Sequence, residues 1–111
     1  MRRLAALAAF CLACSPAVKT SCEPPSSPIL VLASAHWKPV VEGGVPHGVE
    51  VRDVVPGSFL ACLGVRDGDR LVAMDGERIS DPSGVAKLGR RRALRLEVEN
   101  ASGQAREIVN E

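Results

Sequence analysis

Few residues in this chain could do covalent or metal chemistry. The four cysteines stand at positions 11, 14, 22 and 62, and the two histidines at 36 and 47. Cys11-Leu12-Ala13-Cys14 has the spacing of a thiol redox pair or half a zinc site. It lies, however, inside an uncharged apolar run near the N-terminus, where a folded site is not expected. Ser58 and Cys62 are nucleophile types and His36 and His47 are base types, but none belongs to an activating motif. Asp67 and Asp69, on either side of Gly68, read as turn residues and not as a general acid and base. No catalytic residue, no metal and no cofactor is expected, and the chemistry left to this chain is recognition.

Composition narrows that recognition. With 111 residues there is room for one small domain. A net charge of +1 supplies no field to attract nucleic acid, and 3% aromatic residues leave few rings on which bases could stack. Arg90-Arg91-Arg92, with Arg95, reads as a solvated basic loop; contact with an acidic partner or anionic headgroups is the alternative.

The N-terminus has the pattern of an export signal. Arg2 and Arg3 precede the uncharged residues 4–14, and Ser15-Pro16-Ala17 follows with small residues at alternate positions. The run is shorter than the roughly 20 apolar residues that span a bilayer. An uncleaved anchor in the membrane surface is the alternative. Cleavage after Ala17 removes two Arg and no acid, leaving 12 basic and 13 acidic residues. A lipoprotein signal ending at Cys14 is a second route: Ala13 suits the position before the lipidated Cys, whereas Cys11 and Leu12 suit theirs poorly. After cleavage at Ala17, Cys22 and Cys62 remain, an even pair that could form a disulfide in an oxidising compartment. Taken singly, Cys62 reads as a small buried residue on a short helix and Cys22 as part of a flexible tail.

The elements that must position any site follow. Residues 18–28, with Pro24, Pro25 and Pro28 among Ser, Thr, Lys and Glu, read as a flexible linker. The unbroken apolar residues 29–33 read as a first strand, and residues 36–47, with two Pro and two Gly, as mainly loop. Trp37 reads as cover for the core or a sheet edge, with an interface as the alternative. Val49 and Val51 alternate with Glu50 and Arg52 as in a half-buried strand, ended by Pro56-Gly57. Ser58 can cap a short helix closed by Gly64. Asp67-Gly68-Asp69 turns into the strand 71–74, Asp75-Gly76 makes a hairpin, and Asp81-Pro82 opens a second helix with Val85 and Leu88 on its apolar face. Leu94, Leu96 and Val98 alternate with charges in a strand that Asn100-Ala101-Ser102-Gly103 turns back into residues 105–109.

The stretch 51–76, with its Pro56-Gly57-Ser58 helix opening, Gly64-Val65 closure, Gly68-Asp69 lead into a buried strand and Asp75-Gly76 hairpin, resembles the centre of a bacterial PDZ domain. Gly48, residues 64–69 and Asp81-Pro82 are most similar to the C-terminal PDZ domain of type II secretion protein C. The resemblance implies an α+β fold over 29–111, a partly open β-barrel or sandwich of five to six short strands with two short helices.

It also implies a peptide groove. A partner's terminus or exposed strand would extend the sheet by strand addition, needing no catalytic group. The implied carboxylate turn is Pro46-His47-Gly48-Val49, in which His47, Gly48 and Val49 can donate and Pro46 cannot. His47 replaces the family's usual apolar residue there. Val49, Val51, Val85 and Leu88 would form the apolar wall. Ser83 stands near the position where a His would select Ser or Thr, so an apolar residue two places before the ligand terminus is expected, with weak affinity. The implied partner is a protein or peptide in the cell envelope, with membrane contact only through a lipid on Cys14. The alternative role is an assembly component of a type II secretion-like complex that binds no peptide.

Overall fold

The computed structural model describes residues 17–87 and 94–111. Leu88, residues 90–92, Cys11 and Cys14 lie outside them. Ten elements follow in chain order: β1 (Ala17–Thr20), α1 (Pro28–Leu32), β2 (His36–Glu42), β3 (Val45–Arg52), α2 (Phe59–Leu63), β4 (Arg70–Met74), β5 (Glu77–Arg78), α3 (Pro82–Val85), β6 (Leu94–Glu99) and β7 (Ala105–Asn110). One mixed sheet runs β1-β7-β6-β4-β3-β2, with β5 paired to β4. It has seven strands and is not closed into a barrel. Among the described residues that is more strands than the five to six expected, and three helices instead of two.

The extra helix is α1, where a strand was expected. Ser27 accepts a hydrogen bond from the Ile29 N–H and Pro28 takes the first helical position, a combination that starts a helix. One turn suffices to bury Val31 while Ile29 and Leu30 stay exposed. Such a short apolar run has no period that separates strand from buried helix.

Residues 36–47 are also not mainly loop. They hold β2 and the start of β3, joined at Gly43-Gly44, both with positive φ, as a tight two-residue hairpin turn requires. The prolines that suggested a loop fall where a strand tolerates them. Pro39 sits at a register shift in β2, an end strand of the sheet, and Pro46 lies beyond the part of β3 that pairs with β4.

Other local signals act as expected. Ser58 accepts from the Ala61 N–H at 3.3 Å, and Gly64 closes α2 at φ 90°. Asp75-Gly76 turns β4 into β5, and Asn100 Oδ1 accepts from the Ser102 and Gln104 N–H groups in the β6–β7 turn. Leu71, Leu96 and Val98 reach the core with Leu60, Leu63 and Ile108.

The N-terminal segment departs most from expectation. Residues 17–20 form β1, parallel to β7, and the chain then bonds to the side chain of Asn110. That buried amide accepts from the Cys22 N–H at 2.7 Å and donates to the Cys22 carbonyl at 2.9 Å. Cys22 is 2% exposed and forms a disulfide with Cys62, which lies on the exposed side of α2. The two single-residue readings are therefore reversed, and the first residues of the supposed linker are folded. Their partners lie about 90 residues away in sequence, so no local period could announce them.

Candidate peptide-binding edge

The acidic pair at the central turn is structural. Asp67 Oδ1 accepts from the Val54 N–H at 2.9 Å. Asp69, 4% exposed, accepts from the Arg66 N–H at 2.9 Å and from Arg106 at 2.8 Å, while Arg106 also donates to the Gly64 carbonyl at 2.8 Å. These bonds lock the end of α2 to β7.

The implied carboxylate turn is not a turn. Pro46, His47, Gly48 and Val49 are consecutive residues of β3, an interior strand with β2 on one side and β4 on the other. His47 faces a charged cluster: its ring lies 3.3 Å from Glu99 and 3.8 Å from Glu42, and Arg70 reaches the same two carboxylates. Gly48 is needed for the sheet, because a Cβ there would stand 2.6 Å from the Leu71 carbonyl oxygen. Val49, Val51 and Val85 are fully buried, so they underlie the surface instead of lining an open wall.

The sheet has two end strands, β1 and β2, and of these β2 is the one packed against a helix, α3. The exposed main chain of β2 can be derived from its partner. Val51 donates to the Asp69 carbonyl and accepts from the Gly68 N–H, both at 2.8 Å, so its polar groups point away from β2. Trp37 stands opposite Val51 and is therefore a non-bonded pair, whose own N–H and C=O face outward. Pro39, two residues on and opposite Val49, turns its C=O the same way and has no N–H. Helix α3 packs against both β2 and α1, so this edge borders a helix.

Asp81 sets the start of that helix. Its carboxylate accepts from the Ser83 hydroxyl and from the Ser83 and Gly84 N–H groups. The Ser83 hydroxyl bond, followed by the Gly84 N–H, lowers the Asp81 pKa from 3.8, with Lys87 a smaller influence. Of the residues that define the edge, Trp37 read as cover for the core or a sheet edge with an interface as the alternative, and Pro39 only as a loop residue. The signal available was Gly43-Gly44 between two runs of strand-forming residues.

Residues 50–100 match the family model described as PDZ domain. The fold is that of a PDZ domain. Among solved structures, the chain is similar to the PDZ domain of HtrA3 bound to a phage-derived ligand, FGRWV. That likeness has 21% identity and a TM-score of 0.54, over 70% of this chain and 78% of the other. It is also similar to the PDZ domain of EpsC from Vibrio cholerae, residues 219–305, a type II secretion protein C, at 23% identity and a TM-score of 0.51, over 75% and 97%. No curated protein sequence matches the chain. PDZ domains are interaction modules and generally non-catalytic.

Proposed function

We propose that this chain is an exported PDZ protein that binds a partner's chain terminus or exposed strand in the cell envelope by strand addition along β2. The observation that carries the reading is the outward Trp37 N–H and C=O on the last strand of the sheet, beside α3. Main-chain groups so placed offer a ligand the ladder bonds of an added strand. The HtrA3 neighbour, bound to FGRWV, supports a peptide ligand.

Export is supported by the Arg2-Arg3 start with its short apolar run, and by the Cys22–Cys62 disulfide, a bond that persists in oxidising compartments. Mass measurement of the native protein tests it. A terminus at Val18 or at lipidated Cys14 is expected, and an intact Met1 in a soluble cytosolic fraction overturns export.

The second reading, an assembly component of a type II secretion-like complex, draws on the likeness to EpsC and on Pro39, which removes a donor from the edge. A phage-displayed library of C-terminal peptides separates the two. Enrichment of a shared terminal sequence supports peptide binding. No enrichment, with recovery of a stable partner complex from envelope extract, supports assembly.

A further inference from the structure

Trp37 does more than provide the edge with one donor and one acceptor. Opposed residues of paired strands project to the same face, so the Trp37 side chain shares the face of Val51, which is fully buried. The ring is half-buried and packs against the core cluster that includes Val31, Val51 and Val85. Its Nε1–H donates to the Leu32 carbonyl, at the end of α1, at 2.8 Å. The indole is thus tied at both ends, to β2 by its own backbone and to α1 by a hydrogen bond. Helix α3 packs on both of those elements. The space beside the free edge, where an added strand would direct a side chain toward the core, is the space this ring covers.

Resting on the strand-addition reading, we propose that Trp37 is the specificity residue of the site. Its ring fills the core-side space into which the ligand residue paired with Trp37 would direct its side chain, so the domain selects Gly or Ala at that position of the added strand and rejects bulky residues there. Admitting a large side chain would require breaking the bond to Leu32 and moving the ring, leaving the part-buried Leu32 carbonyl without its donor.

The experiment uses the peptide enriched from the C-terminal library, remade with Gly, Ala, Val or Phe at each of its last four positions in turn and otherwise without Trp. Trp37 is the single tryptophan of the chain, so its emission reports on the site in the native protein, and titration calorimetry measures affinity in every form, the Trp37 variants included. At one of those positions the native protein is expected to bind the Gly and Ala forms at least about tenfold more tightly than the Phe form. Trp37→Ala should reverse that order, and Trp37→Phe, which keeps a ring but loses the Nε1–H, should relax it partly. The Phe variant serves also if Trp37→Ala does not fold, as thermal melting will show. An unchanged order in a folded variant overturns the proposal while the peptide-binding reading stands. Should the native protein enrich no peptide, the library is repeated on the variants. Enrichment there alone supports a pocket blocked by Trp37, and none on any form overturns both readings.

Discussion

At the residue scale, the positions that looked functional in the sequence are held by structural duties. Gly48 was expected to donate to a ligand carboxylate. It has φ 84°, and a Cβ would meet the β4 backbone at 2.6 Å. A backbone carbonyl cannot swing aside as a side-chain tip can. Gly48→Ala is expected to cost at least about 1–2 kcal/mol from the left-handed backbone alone, more with the displaced carbonyl, and to lower Tm by roughly 5 °C or more. Thermal melting of the oxidised protein checks this, and an unchanged Tm would mean that β3 and β4 are further apart than described. Asp81 makes a second case. Its lowered pKa means that its stabilisation of α3 is fully present above 3.8, the unfolded value, and is lost as pH falls through the lower folded value. Carboxyl chemical shifts followed through an acid titration should place Asp81 below 3.8, and Ser83→Ala should move it back up, because the Ser83 hydroxyl is the largest cause.

At the element scale, the β2–β3 hairpin decides where a partner could add. The sequence contains its turn, Gly43-Gly44, and one of its strands, 49–52, in plain alternation. The other strand is disguised by Pro39 and by a lack of alternating burial: only Trp37 and Val40 in β2 are even half-buried. An end strand with little buried surface leaves a weak period in the sequence, which is why β2 read as loop. Its geometry makes a sharp prediction for amide hydrogen exchange. The His36 and Lys38 amides, turned toward β3, should be protected, whereas the outward Trp37 amide should exchange much faster. Adding a bound peptide should slow Trp37 selectively. Equal protection of Trp37 and Lys38 in the free protein would refute the assigned edge.

At the scale of the whole molecule, the N-terminal segment and the helix α2 are joined across 40 residues by the Cys22–Cys62 disulfide. Closing a loop of that length is worth about 2–4 kcal/mol in the chain-entropy account. Because Cys62 lies on the exposed side of α2, Cys62→Ser removes the crosslink with little loss of packing. The variant, or the native protein under reductant, should lose about that much stability in urea unfolding. A loss near zero would mean that the Asn110 bonds to Cys22 hold the segment unaided.

The sequence by itself determined the middle of this protein: the Ser58 and Asp81 caps, the Gly64 closure, the Asp75-Gly76 hairpin and the alternating strand 94–99. Each depends on residues within a few positions of one another, and together in order they carry the PDZ resemblance. Only the tertiary structure decided which strand stands at the end of the sheet, and with it the move of the candidate site from His47, Gly48, Val49 and Val51 to Trp37 and Pro39. It also decided that residues 17–22 belong to the fold. Both outcomes rest on pairings between distant segments, β2 with β3 in register and Cys22 with Asn110 and Cys62. Burial and hydrogen-bond satisfaction settle such pairings when the chain closes on itself, and neither is encoded in any local window.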